Sequence, residues 1–450
     1  MTDGQEKLAR KLTTFDATLI VMGGMVGSGI FLTPPLVAQL ARTAPLIVAT
    51  WILGGVVALA GAFIFAELAA RRPGVSGVYG YLRDGLHPAI AFTAGWTALL
   101  VSYTGAMAAS AIAFAAYLEP MTGWHIPLWI TAAALILALT FVNCLGVRSG
   151  STTQNVFMVL KIAAIAAIIL TGFFGASHPA AALPGPIAPG SWIVLVGFAL
   201  VPVLFAYDGW QTAPFIDAEL KDARRSMPRA LLWGVIGVIA LYLAITLAAL
   251  RMLGPDGLAH SHAPAADMVR NVFGAPGQRA VAAAVAISTL GYLSNAMLVS
   301  PRLYYAMAAD GLFFKQLAWI HPRTQVPVIA IAVQGIIAAI ITAFNGFQQI
   351  VTYVTSIDFI YFALIAYTLF VFRRRDPEAH AGFAVPGHPW TTLFFIAASV
   401  YVVVNALITV PRETLIGIGI LLTGIPVYFY WRSLADKATA ASRVSPIKRA

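Results

Sequence analysis

Apolar residues in this chain occur in long runs that short polar segments separate. A run of about 20 apolar residues is long enough to cross a bilayer as a helix. Such runs occur at residues 15–37, 44–70, 88–118, 126–144, 153–174, 192–220, 228–252, 279–307, 327–345, 349–372, 390–410 and 413–431. The pattern therefore predicts an all-α polytopic membrane protein with about 12 transmembrane helices.

Two of these spans are interrupted near their centres. The first has four glycines within residues 23–29, and the sixth has Pro202 followed by Asp208 and Gly209. Glycine inside a helix costs roughly 1 kcal/mol relative to alanine, so four in one span need a physical reason. Close helix–helix packing is one reason, and a helix broken at membrane depth to offer backbone groups to a ligand is another. The second break favours the ligand site, because paired broken helices are typical of secondary transporters.

The two breaks also indicate how the chain is organised. Residues 15–174 and 192–372 each contain five predicted spans, and each set opens with a broken span. An odd number of spans per half requires the second half to be inverted in the membrane, which gives a 5+5 inverted repeat. Two peripheral helices would follow at 390–431, and residues 1–14 and 432–450 would form an N-terminal segment and a C-terminal tail.

Composition and charge support this class and suggest an orientation. Hydrophobic residues make up 60% of the chain and charged residues only 10%, whereas soluble proteins carry about 25% charged residues. Most of the 28 lysines and arginines fall in segments that face the cytoplasm if both termini lie there, as positively charged loops do. We therefore expect a multi-pass protein of the cell membrane with cytoplasmic termini, and no nucleic-acid partner despite the net charge of +10.

Residues suited to enzymatic or metal chemistry are sparse. The single cysteine, Cys144, excludes an internal disulfide and a cysteine-built metal site. A predicted external loop at 254–278, with a short helix around 264–273, holds His260, His262 and Asp267, but nothing completes a ligand set. The chain has no HExxH or GxSxG motif, and no predicted span holds a histidine. We expect neither a metal nor another cofactor, and we expect that the protein is not an enzyme.

A combination of motifs along residues 13–375 resembles the amino acid–polyamine–organocation transporters, and within them the L-type amino acid transporter branch. Residues 27–31 match the first-helix motif and residues 205–210 the sixth-helix motif. Further matches are Glu67, Leu68, Pro73, Ser76, Gly77, Tyr79, Tyr81, Gly95, Trp96, Asn143, Gly146, Gln154, Lys161, Glu219, Pro228, Tyr304, Asp310 and Gly311. The chain departs from this family at Ser76, where a second glycine is usual, and at Asp208 and Asp358, where many neutral amino acid carriers have small or amide residues. The resemblance implies a LeuT-like fold.

Each broken helix offers free N–H groups where its second half starts and free carbonyls where its first half ends. The N–H groups of Gly27, Ser28 and Gly29 could bind the carboxylate of an amino acid, aided by the helix dipole. The predicted substrate-binding set is Met25, Gly27, Ser28, Gly29, Phe205, Ala206, Asp208 and Gly209, in which carbonyls near Met25 and those of Phe205, Ala206 and Asp208 take the ammonium. By resemblance, Phe205 would also be an aromatic gate, and Gln211 and Asp358 are further candidate pocket residues.

Three charged residues within the spans need separate readings. Asp208 either acts on the substrate or caps the N–H groups of its own broken helix, and both readings stay open. Glu67 is expected to form a structural ion pair with Arg71 and Arg72 at a helix end. Lys161 lies inside the fifth predicted span, and by resemblance its ammonium takes the place of the sodium ion that bridges the first, fifth and eighth helices in sodium-coupled relatives. Burial lowers the pKa of a lysine, so Lys161 could instead exchange a proton.

These observations lead to a functional prediction. We expect a secondary transporter of amino acids, a sodium-independent exchanger of small or medium neutral L-amino acids that works by alternating access. The alternative is a proton-coupled symporter linked to Lys161, which could accept polar or cationic amino acids. Animal L-type carriers hold an accessory subunit through a cysteine after the third helix, and the corresponding residues 119–125 contain none here. We therefore expect no disulfide-linked accessory subunit.

Overall fold

The computed structural model describes residues 12–72, 77–146, 151–175, 192–213, 220–324, 326–377 and 382–444. Several sequence predictions lie outside these residues: those for the segment before Leu12, for Pro73, Ser76 and Glu219, and for the last six residues of the tail. The described part is helical, apart from turns and one isolated bridge between Leu12 and Leu220.

Within the described residues, sixteen α-helices form the bundle. They are α1 (Thr14–Met25), α2 (Gly29–Ala41), α3 (Ala44–Arg71), α4 (Gly77–Gly85), α5 (Pro88–Thr97), α6 (Tyr103–Thr122), α7 (Leu128–Cys144), α8 (Ser151–Phe174), α9 (Trp192–Tyr207), α10 (Ala223–His260), α11 (Pro264–Val299), α12 (Pro301–Ala309), α13 (Val328–Phe344), α14 (Phe347–Arg375), α15 (Trp390–Thr409) and α16 (Pro411–Val444). A π-helical turn at Ala98–Ser102 joins α5 to α6.

Length and apolarity identify the membrane spans. Among the described residues, 8 helices or joined helices are long and apolar enough to cross a bilayer, and the count is 9 if α1 and α2, bent by 45° at their break, form one span. Three shorter apolar helices, Leu128–Cys144, Met158–Phe174 and Val328–Phe344, fall on the fourth, fifth and ninth predicted spans. The protein is therefore an all-α polytopic membrane protein, as the hydrophobic pattern predicts, while the total of twelve spans stays a prediction.

Two polar segments are more helical than their sequence indicates. Residues 254–278, predicted as an external loop with a short helix around 264–273, continue α10 to His260. The predicted short helix begins α11 at Pro264, and kinks lie at Gly254 and Gly274. A proline follows each kink closely and suits the first turn of the next helical segment. The last helix reaches Val444, well into the predicted tail, because its alanine-rich polar end still favours a helix.

A cluster of aromatic residues fixes α9 and α10 against the first broken helix. Trp51, Tyr207 and Tyr242 are all buried, with ring centroids 5.2 to 5.7 Å apart. The Tyr207 hydroxyl donates to the Trp51 carbonyl over 3.2 Å, and the Tyr242 hydroxyl donates to the carbonyl of Met25 over 2.9 Å. Two phenols thus find acceptors inside the bundle, and one of them holds the last residue of α1 in place.

Glu67 joins the ends of α3 and α14, at what we call the basic end of the bundle. Its fully buried carboxylate accepts hydrogen bonds from Arg71 over 2.7 Å, from Arg373 over 2.6 and 2.9 Å, and from the Val385 N–H over 2.7 Å. Arg71 follows Glu67 by one helical turn and therefore shares its face. The expected partner Arg72 points elsewhere and pairs with Asp376, so this part of the prediction is wrong.

Helix α4 packs at the same end of the bundle, where it contacts α14 and the residue after α12. The Tyr79 hydroxyl and the Arg83 guanidinium both donate to the Asp310 carboxylate, over 2.9 and 2.8 Å. Burial, together with the Asp310 charge, raises the pKa of Tyr79, so the phenol stays a hydrogen-bond donor. Arg375 at the end of α14 donates to the Asp84 carbonyl over 2.7 Å. These contacts tie α4 to α14 and to the end of α12.

Candidate functional site

The break between α1 and α2 lies directly against the end of α9. A Cβ atom placed on Gly29 would stand 2.6 Å from the Cα of Ala206, and one placed on Gly209 would collide with the carbonyl of Gly24. Gly209 also has a φ of 118°, which side-chain-bearing residues rarely adopt. The two interrupted segments can approach this closely only because glycine occupies both of them.

The first break leaves N–H groups without acceptors. The Ser28 carbonyl accepts from the N–H groups of Phe31 and Leu32 over 3.1 Å each, which starts α2. The N–H groups of Ser28, Gly29 and Ile30 have no hydrogen-bond partner among the described residues, as expected for the first turn of a helix. The Gly27 N–H, in contrast, already donates to the Met25 carbonyl over 2.8 Å. Of the three N–H groups predicted to bind a carboxylate, those of Ser28 and Gly29 are therefore available, and that of Gly27 is not.

The carbonyl side of the same break is satisfied by the protein. Met25 accepts from both the Gly27 N–H and the Tyr242 hydroxyl, over 2.8 and 2.9 Å. The ammonium of Lys161, on α8, donates to the Val26 carbonyl over 2.7 Å. The lysine is buried with 8% of its surface exposed, and it reaches the first helix as the resemblance implies. Lys161 therefore donates a hydrogen bond to the backbone of the first break.

The second break is a short turn at Asp208 and Gly209, followed by a 3₁₀ turn over residues 210–213. The Asp208 N–H donates to the Phe205 carbonyl over 3.2 Å, and the Gly209 N–H donates to Oε1 of Gln211 over 2.8 Å. Thr212 donates to the Gly209 carbonyl from both its N–H and its hydroxyl. Gln211 thus stabilises the turn, a role that the sequence alone did not indicate.

A small central cavity of about 70 Å³ lies between the two breaks. Of the predicted site residues, it is lined by Met25, Gly27, Ser28, Gly29, Phe205, Asp208, Gly209, Gln211 and Asp358. Ala206 lies behind this surface, against Gly29, and Lys161 lines a separate cavity of about 340 Å³ between α1, α8 and α11. The structure therefore brings the candidates together at one place, with these two residues just outside it.

Two further helices supply residues that the sequence analysis missed. Helix α6 and the π-turn before it contribute Ser102, Tyr103, Ala106 and Ser110, and α11 contributes Tyr292, Asn295, Ala296 and Val299. The Ser110 hydroxyl donates to the Ser28 hydroxyl over 3.2 Å. A signal was present, since Ser102, Ala106 and Ser110 recur every four residues and so occupy one helix face.

An aromatic pair separates the central cavity from a larger one. The rings of Phe205 and Phe347 meet edge to face with centroids 6.0 Å apart. Phe205 lines the central cavity, whereas Phe347 lines a vestibule of about 860 Å³ between α2, α6, α13 and the start of α14. Phe347 is the first residue of α14, and Arg373 in the basic end lies in its last turn. The vestibule and the basic end therefore lie at opposite ends of one helix.

The chain is similar over nearly its full length to several transporters. It is 27% identical to the Serine/threonine exchanger SteT of Bacillus subtilis (strain 168) over 430 residues, which is 94% of this chain and 97% of that protein. It is 29% identical to Large neutral amino acids transporter small subunit 2 of Mus musculus over 445 residues, 95% of this chain and 83% of that protein. It is also 27% identical to Asc-type amino acid transporter 1 of Mus musculus over 441 residues, 95% and 82% of the two chains.

The chain also matches a family model, and this match does not depend on any single relative. The amino acid permease model matches residues 12–429, which include both breaks, Lys161 and every residue that lines the central cavity. These relatives and the matched family are membrane transporters rather than enzymes. The chain therefore belongs to the amino acid permease family of the amino acid–polyamine–organocation superfamily, and it resembles the L-type branch.

Proposed function

We propose that this protein is a sodium-independent exchanger of small or medium neutral L-amino acids that works by alternating access. One observation carries the proposal: the unpartnered N–H groups at the start of α2 face a small cavity between two broken helices. The cavity volume of about 70 Å³ favours the small end of this substrate range. Relatives that carry the names of an exchanger and of neutral amino acid transporters support the same substrate class.

The carboxylate of the substrate binds at the start of α2. The N–H groups of Ser28 and Gly29 are free to donate, and the positive end of the helix dipole favours an anion there. The Ser28 hydroxyl accepts from Ser110, so its own proton is free to point to the ligand. This arrangement recognises the part of the substrate that every amino acid shares.

The ammonium of the substrate binds at the end of α9. The last-turn carbonyls of a helix have no intrahelical donor, and here they belong to residues such as Phe205 and Ala206, next to Asp208. The Phe205 carbonyl accepts only a long hydrogen bond from Asp208 within the described residues and keeps a lone pair for a ligand. Met25, which already accepts two hydrogen bonds, contributes less than the sequence suggested.

Alternating access requires closures on both sides of the cavity. The Phe205–Phe347 pair separates the cavity from the vestibule, and Phe205 is the gate on that side. The Glu67 and Asp310 contacts close the basic end on the other side. We assign the basic end to the cytoplasm, in agreement with the excess of positive charge there. This assignment places both termini in the cytoplasm of a cell-membrane protein.

Helices of residues 15–174 and 192–372 form the two inverted repeats in this proposal.

Lys161 makes a bound sodium ion unnecessary. Its ammonium supplies a positive charge where α8 meets the first break, 2.7 Å from the Val26 carbonyl. The alternative of proton-coupled uptake through Lys161 gains no support from the relatives, one of which is named as an exchanger.

We further propose that the protein works without a disulfide-linked subunit, because Cys144 lies at the end of α7 with its thiol toward the Val328 carbonyl.

Exchange is tested with purified protein in liposomes. Uptake of radiolabelled L-serine should require an unlabelled amino acid inside the vesicles, because the carrier returns across the membrane only when loaded. Replacing sodium by choline, or imposing a pH gradient, should leave the rate unchanged. The proposal would be contradicted if a sodium gradient or a pH gradient drove uptake into vesicles that contain no amino acid.

The close contact at Gly29 gives a second prediction. In Gly29→Ala, the new methyl group would stand 2.6 Å from the Cα of Ala206, so the two breaks must separate and the N–H groups lose their position. We expect binding of L-serine, measured by scintillation proximity, to fall by more than tenfold. Gly419→Ala is the matched control, since its methyl group meets nothing within 4 Å. Wild-type affinity in Gly29→Ala would place the substrate elsewhere.

Lys161→Ala tests the proposed coupling role. The substitution leaves the Val26 carbonyl without its donor at membrane depth, which costs about 1–3 kcal/mol. Because the loss falls on one conformation more than on the other, exchange should slow more than equilibrium binding weakens, and external sodium should not restore it. The exposed Lys221→Ala provides the control. An unaltered exchange rate and an unaltered affinity in Lys161→Ala would remove Lys161 from the mechanism.

A further inference from the structure

Two acidic side chains line the central cavity, and the binding of an α-carboxylate and an α-ammonium does not account for both. Asp208 lies at the second break, and Asp358 lies in the middle of α14. We infer that Asp208 and Asp358 bind the side chain of the substrate, and that preferred substrates carry a hydrogen-bond donor there, such as a short hydroxyl or amino group. This inference rests on the proposed function and names the substrates within it.

Asp208 is only partly used by its own helix. Its carboxyl group lies close to the Gly209 N–H and to the Gln211 side chain, but that N–H donates to Gln211. Its Oδ1 atom, however, is buried and has no hydrogen-bond partner. An unpaired buried acceptor is costly, and this one belongs to a residue that lines the cavity. Asp208 therefore keeps at least one carboxylate oxygen for a ligand.

Asp358 approaches the cavity from a different helix. The side chain of Ser102, the last residue of the π-turn, lies close to the Asp358 carboxyl group, and both residues line the cavity. A π-turn inserts an extra residue into a helix and is frequent at functional sites. The phenols of Tyr103 and Tyr292 are both close enough to the two carboxyl groups to interact with them electrostatically. The cavity wall is therefore polar where these two acids and two phenols line it.

The position of this wall favours the substrate side chain as its partner. The substrate carboxylate takes the N–H groups of α2, and the ammonium takes carbonyls at the end of α9. This leaves the side chain to face Asp358 and the phenols of Tyr103 and Tyr292, which are also close to the Asp208 carboxyl group. An apolar side chain would leave Oδ1 of Asp208 unpaired, whereas a hydroxyl or amino group would satisfy it. A site built around such a hydrogen bond rejects an isostere that lacks the donor. The cavity of about 70 Å³ limits the donor to a short side chain.

The test compares substrates of equal size in the wild-type protein first. L-serine and L-2-aminobutyrate differ by a hydroxyl in place of a methyl group, and L-2,3-diaminopropionate carries an amino group at the same position. We expect purified wild-type protein to bind L-serine and L-2,3-diaminopropionate at least about tenfold more tightly than L-2-aminobutyrate. Equal affinity for L-serine and L-2-aminobutyrate would overturn the inference and leave the proposed function intact. Absence of binding of all three amino acids would instead contradict the proposed function.

Variants then locate the preference. Asp358→Asn and Asp208→Asn keep the size of each side chain and remove its charge, so each should reduce the preference for L-serine over L-2-aminobutyrate by about tenfold. Asp256→Asn, which makes the same change at a partly exposed residue outside the cavity, should retain the wild-type preference. An equal loss for both ligands would assign the acids to the shared ammonium and overturn the inference, as would an unchanged preference. The wild-type comparison decides the matter if neither variant folds.

Discussion

The structure depends on how backbone groups are satisfied where a helix is interrupted inside a membrane. The hydrocarbon interior offers no water, so each free N–H or carbonyl needs a partner from the protein or from a ligand. At the first break the two kinds of group are treated differently. Tyr242 and Lys161 donate to the carbonyls of Met25 and Val26, whereas the N–H groups at the start of α2 have no acceptor in the described part of the chain. The protein thus satisfies its acceptors and presents its donors, which selects an anionic group.

Glycine makes this arrangement sterically achievable. The close approach of Gly29 to Ala206, and of Gly209 to Gly24, brings two broken segments within backbone contact. The resulting cavity is small, and it receives carbonyls and an acid from α9 on one side and N–H groups from α2 on the other. The aromatic pair at one end of α14 and the Glu67 contacts at its other end flank this cavity. Helix α14 therefore runs from one closure to the other.

Sequence reasoning predicted the helical fold and both breaks because these follow from local composition. Glycine, proline and a buried acid within an apolar run are visible without any coordinates. The roles of Gln211 and Arg373 were not visible, since each depends on which residues the fold brings together. The π-turn at Ala98–Ser102 also left no local signal. The sequence analysis assigned the Gly27 N–H to the ligand. In the structure this N–H donates to the Met25 carbonyl, and only the conformation of the break brings the two groups together.

The most direct test of this account is an experimental structure of the protein with bound L-serine. The account predicts the serine carboxylate about 3 Å from the N–H groups of Ser28 and Gly29, with the ammonium directed to the end of α9. It also predicts that the Lys161 ammonium remains on the Val26 carbonyl in this complex. A serine carboxylate that pairs with Lys161, or that lies away from the start of α2, would contradict the claim that unpaired backbone donors define the site.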